Sequence, residues 1–174
     1  MSSLKKMLIL FPIIFYANSI AASLLSGIDA DVDFKLNLLP PTCILDVSEK
    51  SVQLGILNAG DTKKYSALNF KLTCDVAVPT AMSATVLSGE ISRNGLAMNL
   101  INNANQISGV SLELIDPLSS NNINLSGNIQ DKSTLFCRQS SNQGWCELIP
   151  KVKVSNITLT GKVSGAVSFS IIYV

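Results

Sequence analysis

From Ile28 onward, apolar side chains recur at every second position. Ile28, Ala30, Val32, Phe34, Leu36 and Leu38 fall on one face, and Asp29, Asp31, Asp33, Lys35 and Asn37 on the other, which is the period of a long half-buried β-strand. Pro40-Pro41 interrupts it, because neither residue can donate a ladder hydrogen bond, and Cys43 opens the next extended piece. Further strands are predicted at Val52 to Leu57, Asn69 to Cys74, Ala84 to Leu87, Val110 to Ile115, Ile149 to Val154 and Val163 to Val174. Turn formers separate them: Asn58-Ala59-Gly60-Asp61, Ser92-Arg93-Asn94-Gly95, Asp116-Pro117, Ser119 to Asn122, and Ser126-Gly127-Asn128. No segment makes a long capped amphipathic helix, although Asn99 to Ala104 has room for one helical turn. Many short strands at such intervals predict an all-β fold, a sandwich of immunoglobulin-like type.

Composition narrows what such a sandwich does. The chain has 174 residues, 47% hydrophobic and 14% charged, which suits one domain with a sizeable core. A net charge of +1 gives no field to gather nucleic acid. There is no histidine, so Ser-His-Asp and Cys-His catalysis and most zinc chemistry are removed. The many serines lack a base other than Lys or a carboxylate, and no Ser-Lys constellation stands out. The expectation is a protein that is not an enzyme and carries no cofactor or metal.

Lys5 and Lys6 precede the apolar run Met7 to Tyr16, and Ser19, Ala21, Ala22 and Ser23 follow with the small side chains a signal peptidase reads. Residues 1–22 are read as a secretory signal peptide, cut after Ala21 or Ala22. The apolar run is about half of the ~20 residues that span a bilayer, which disfavours an anchor. No later segment approaches that length, so no membrane span is expected after cleavage. Cleavage leaves 11 basic and 12 acidic residues, a charge of −1.

Export makes the four cysteines a candidate disulfide framework. Three pairings are possible. Cys137 and Cys146 flank the polar stretch Arg138 to Gly144 and Trp145, as in a hairpin loop closed by its own bridge, which leaves Cys43 with Cys74. Loop-closure entropy assigns about 3.5 kcal/mol to the longer bridge and about 2.5 kcal/mol to the shorter. A metal site is disfavoured, since there is neither a C-x-x-C pair nor a histidine. Trp145 beside its cysteine is expected to pack as a local lid rather than stand exposed as a binding aromatic. Asn124-Leu125-Ser126 and Asn156-Ile157-Thr158 match the N-glycosylation triplet, which is common by chance in an Asn- and Ser-rich chain.

The last fourteen residues alternate again. Val163, Gly165, Val167, Phe169, Ile171 and Tyr173 share one face. An apolar strand of this kind is normally an interior strand or is covered by a partner, because an open apolar edge invites aggregation. It therefore either pairs within its own sandwich or accepts a strand from another protein.

Gly161 at the fourteenth position from the end, the penultimate Tyr173 and the alternation between them resemble the C-terminal signature of chaperone–usher pilin subunits. Val32-Asp-Phe34-Lys running toward Cys43 is similar to type 1 fimbrial rod subunits. Val52-Gln-Leu54-Gly55, Phe70-Lys-Leu72-Thr-Cys74 and Gly109-Val110-Ser-Leu112-Glu-Leu114-Ile-Asp116 resemble further family segments in the same order. The resemblance implies an incomplete immunoglobulin-like sandwich that lacks its last strand, with the pilin domain at 32–174 and an N-terminal donor-strand extension at 23–31.

It also implies a mechanism. A periplasmic pilus chaperone fills the groove beside the C-terminal strand (Gly161, Val163, Gly165, Val167, Phe169, Ile171, Tyr173) and contacts the terminal carboxylate. At the outer-membrane usher, the extension of a neighbouring fimbrial subunit replaces the chaperone strand, building a polymer on the cell surface that supports adhesion. Leu24, Ser26, Ile28, Ala30 and Val32 would form the inserting face. Alternation favours Ser26 at the small-residue position and residue type favours Gly27, so the register stays open by one residue. Three or four apolar insertions would contribute roughly 5 to 10 kcal/mol before ordering costs.

Two features depart from the family pattern. Rod subunits generally have one disulfide, so Cys137 and Cys146 are extra and mark either a minor or adaptor subunit or a stiffened loop. The second, N-terminal domain that two-domain tip adhesins carry is not expected within these residues, which disfavours a receptor-binding tip. The competing reading is a self-complete secreted immunoglobulin-like adhesin or glycan-binding module, with the Cys137 to Cys146 loop and Trp145 as its surface.

Overall fold

Pairing of the predicted alternating segments produces two antiparallel sheets facing one another. The computed structural model describes residues 41–158 and 160–174. The strands are β1 (Cys43–Val47), β2 (Thr62–Lys64), β3 (Leu68–Cys74), β4 (Thr80–Ser88), β5 (Glu90–Ile91), β6 (Met98–Asn102), β7 (Ile107–Ile115), β8 (Phe136–Gln139), β9 (Gln143–Val154), β10 (Val163–Ser164) and β11 (Ala166–Tyr173). The larger sheet runs β1-β3-β9-β7-β6-β10, with β2 added on β9 and β5 on β6, and the smaller runs β11-β4-β8. This is the all-β, immunoglobulin-like sandwich expected.

β3 shows how sequence becomes layer. Leu68, Phe70, Leu72 and Cys74 are buried while the residues between them are not, the signature of a strand wet on one side. Leu148 and Val152 of β9, Leu114 of β7, and Met98 and Leu100 of β6 extend that inner face, and Met82 and Ala84 of β4 belong to the same core. Ile123 and Leu125, from the long β7–β8 connection, fill the core as well. A one-turn 3₁₀ helix, Lys132–Thr134, precedes β8 and is capped by the Asp131 carboxylate, which accepts from the Ser133 N–H.

Two of the predicted turns close with their own hydrogen bonds. Asp61 N–H donates to the Asn58 carbonyl at 3.1 Å, and Gly95 N–H to that of Ser92 at 2.9 Å. Several boundaries differ. Val52 to Leu57 is no strand among the described residues; Val52, Leu54 and Leu57 turn inward without a ladder. Gly55 sits at φ +71° in its middle, which breaks the pleat. Asn99 to Ala104 holds no helical turn, because Met98–Asn102 is strand β6 with Met98 and Leu100 in the core. β4 begins at Thr80 rather than Ala84, since Thr80 to Ala84 are buried consecutively and leave no alternation to see. β9 begins at Gln143 rather than Ile149.

The predicted final strand, Val163 to Val174, is two strands in two sheets. Val163 pairs with Asn102 of β6 in the larger sheet, and Val167 to Tyr173 pair with Val86 to Thr80 of β4 in the smaller. The chain crosses between sheets at Gly165. Beside it the chain crosses the same corner between β4 and β5 at Gly89, whose φ of +115° favours glycine. At Gly165 the need is for space. An added Cβ would stand 2.6 Å from Leu100 Cδ2 and 2.7 Å from Met98 Cε.

Both cysteine pairs are bonded as expected, Cys43 to Cys74 and Cys137 to Cys146. The first links directly opposed residues of β1 and β3. The second does not close a ladder hairpin. β8 belongs to the smaller sheet and β9 to the larger, so this bridge ties the two layers across the sandwich.

Candidate functional site

β11 is the element on which the sequence places function, and it lies at an edge. Among the described residues it pairs with β4 alone, so alternate N–H and C=O groups of its other side have no ladder partner there. Val167, Phe169, Ile171 and Tyr173 lie opposite Val86, Ala84, Met82 and Thr80, which sets them on one face. Phe169 reaches into the core and meets Phe70 of β3, ring centroids 4.7 Å apart and tilted by 57°. Yet no residue of β11 is fully buried, whereas its neighbour β4 is buried from Thr80 to Ala84.

Two contacts fix where β11 ends. Tyr173 Oη donates to the Pro41 carbonyl at 2.8 Å, and Val174 N–H to the Pro79 carbonyl at 3.1 Å. The strand tip is thereby held to Pro41, just ahead of β1, and to Pro79, just ahead of β4. The 51–58 segment contributes Val52, Leu54 and Leu57 to the core, and Tyr65 Oη donates to the Leu54 carbonyl at 2.7 Å.

Of the predicted C-terminal set, Val167, Phe169, Ile171 and Tyr173 are brought together on β11. Val163 belongs to β10, Gly165 is the corner, and Gly161 precedes both with φ +127° and no heavy atom within 4 Å of an added Cβ. Glycine at 161 is thus required by its backbone angle and not by crowding. The predicted donor residues Leu24, Ser26, Ile28, Ala30 and Val32, and the signal peptide 1–22, lie outside the described residues.

Two features were not legible as placed. Trp145 is no lid: it is 72% exposed, with the Lys71 ammonium 5.3 Å from the ring centroid. Glu113 on β7, 8% exposed, carries a salt bridge from Lys151 at 3.3 Å and a closer one from Lys153, both on β9. Burial pushes its carboxyl up, but the hydrogen bonds and charges of Lys153 and Lys151 outweigh this and hold it below the ordinary carboxylate range. Its hydrogen bond in turn raises Lys153. The register pairs Glu113 with Lys151 across the strands, a pairing invisible from spacing alone. Among the described residues, no helix is long and apolar enough to cross a membrane.

The sandwich, with its strand edge at β11, has the fold of chaperone–usher pilus subunits. The crystal structure of the P pilus rod subunit PapA matches with a TM-score of 0.55, 14% identity, and coverage of 74% of this chain and 98% of that one. A second match is the CsuC-CsuE chaperone–tip adhesion subunit pre-assembly complex from archaic Csu pili of Acinetobacter baumannii, at a TM-score of 0.41 and 13% identity. It covers 78% of this chain and 40% of that one. No protein-family model and no curated protein matches the sequence.

Proposed function

We propose that this chain is a structural subunit of a surface pilus, assembled by a periplasmic chaperone and an outer-membrane usher through donor-strand exchange. The observation that carries this reading is the edge strand β11, whose apolar face packs on the core while its outer side has no ladder partner among the described residues. A sandwich that pairs fully within itself would protect such an edge with a charge, a bulge at its centre or a covering segment. β11 has instead Val167, Phe169 and Ile171, and no charged residue. In this reading residues 23–31, with Leu24, Ile28 and Ala30 on one face, are the strand inserted into the preceding subunit, and the chaperone holds β11 until the next subunit's extension replaces it. In this reading the partly exposed apolar edge is what the chaperone covers, and the ladder made with the next subunit's strand takes its place in the fibre. The subunit is exported through the periplasm and ends on the cell surface, where the fibre supports adhesion.

The test is coexpression with a cognate chaperone and usher. The full chain is expected to accumulate only with the chaperone. A variant lacking residues 23–31 is expected to be captured by the chaperone and to fail as an interior fibre subunit. Stable soluble monomer without the chaperone, or normal interior incorporation of the truncated chain, overturns the reading.

A further inference from the structure

The turn between β5 and β6 holds the chain's single Asn-Gly pair, Asn94-Gly95. In this dipeptide no side chain shields the second residue's nitrogen from the first residue's carboxamide, so the nitrogen can bond to that carboxamide's carbon. The turn cannot dispense with either the glycine or its risk. Gly95 sits at φ +73°, and an added Cβ would stand 2.8 Å from the Asn124 amide nitrogen. Asn94 is exposed, while Gly95, which carries the attacking nitrogen, is buried.

Three hydrogen bonds hold the atoms that would react. Gly95 N–H donates to the Ser92 carbonyl at 2.9 Å. Asn94 Oδ1 accepts from Leu96 N–H at 3.1 Å and from the Ser92 hydroxyl at 2.7 Å. Ser92 Oγ accepts in turn from Ala97 N–H at 3.0 Å, so the hydroxyl is itself fixed. For reaction, the Gly95 nitrogen must lose its proton and turn toward Asn94 Cγ, which breaks its bond to Ser92. We propose that Asn94 is a deamidation site gated by this hairpin, arrested while the turn is closed and reactive once it opens. The Gly95 nitrogen then bonds to Cγ, the Cγ–Nδ2 bond breaks and ammonia leaves. Water opens the resulting five-membered imide at one carbonyl or the other, leaving aspartate or isoaspartate.

The two products differ in what they do to the fold. Aspartate keeps an oxygen for Leu96 and Ser92. Isoaspartate carries the main chain through Cγ, one methylene longer, and the Ser92–Gly95 turn loses its spacing. The Gly95 carbonyl accepts from Leu125 N–H at 2.7 Å, and the Leu125 side chain is fully buried, so the lengthened turn would unseat a core residue of the β7–β8 connection. A chain that lingers unfolded is therefore marked where that connection is tied to the hairpin. Neither β11 nor the donor segment enters this inference, which stands or falls separately from the assembly reading.

The full chain, folded in fibres or in its chaperone complex, is aged at mildly alkaline pH beside the same chain in concentrated urea. Peptide mapping by mass spectrometry reads aspartate and isoaspartate at position 94, with the other asparagines as internal references. Asn94 is expected to react first among them in urea, and folding to slow it about tenfold or more. Ser92→Ala is expected to speed the folded reaction about threefold and leave the urea rate unchanged. A folded rate equal to or above the urea rate, or an unchanged folded rate in a folded Ser92→Ala variant, overturns the gating; if that variant does not fold, the comparison of folded and unfolded parent decides alone. Hydrogen exchange then compares refolded isoaspartyl chain with Asn94→Asp. The isoaspartyl form is expected to lose protection at the Leu125 amide and Asn94→Asp to keep it, and equal protection in the two overturns the coupling to the core.

Discussion

Single side chains set two sharp constraints on this fold. The Glu113 carboxylate is held below its ordinary pKa, so the stability it contributes is full above the ordinary carboxylate range and is lost as the pH falls through the lowered value. Glu113→Gln is expected to cost about 1–2 kcal/mol at neutral pH, by loss of charge-assisted hydrogen bonds. Denaturant unfolding of parent and variant should converge as the medium becomes strongly acidic; a constant difference across that range would show that the ion pair is not the source. The two C-terminal glycines behave differently. Gly165→Ala forces a methyl group toward Leu100 and Met98 and is expected to cost about 1–3 kcal/mol. Trimming Leu100 to Val should return part of that. Gly161→Ala meets no atom and is strained only by its positive φ, at a cost of about 1–2 kcal/mol, and no core substitution should rescue it. Thermal unfolding of the single and double variants distinguishes crowding from strain.

Among elements, those with one wet face were readable and those with none were not. β3 was placed from sequence within one residue and β7 within three. β4 opens with Thr80, Ala81, Met82, Ser83 and Ala84 all buried, and a run without a polar face carries no period. β6 is written with asparagines that suit a turn, yet Met98 and Leu100 commit it to the core, so burial decides against local preference. Val52 to Leu57 is the converse: its pattern is that of a strand, but Gly55 turns it and no neighbour in the described chain supplies a ladder. The edge position of β11 was legible only as one of two alternatives, an apolar strand that either pairs within its own sandwich or accepts a strand from outside. Its division at Gly165 was not, because alternation continues through a corner as it does along a strand. The Cys137–Cys146 bridge likewise shows its pairing in the sequence and hides its path between layers. Replacing both cysteines with serine should cost about 2.5 kcal/mol and speed hydrogen exchange in β8 more than in β3. Equal acceleration in both strands would place the bridge outside the inter-layer contact.

At the scale of the molecule, β11 is an apolar, partly exposed edge among the described residues, and the proposed assembly begins there. If residues 23–31 are held in a neighbouring subunit, a pull along the fibre enters the described fold at Pro41 and Thr42, directly ahead of Cys43. Cys43 opens β1, which among the described residues is an edge strand paired to β3 alone, and traction at its first residue would peel the two strands apart one hydrogen bond at a time. Peeling is the weak direction for a β-ladder, since the bonds break in series. Cys43 is bonded to Cys74, its own cross-strand partner, so the seam is riveted at the point where load enters. Single-fibre stretching should then show the domain yielding at distinctly lower force after reduction, with the Cys43→Ser, Cys74→Ser variant matching the reduced parent. The bridge between β1 and β3 is in this light a mechanical part, sized for tension and not only for folding.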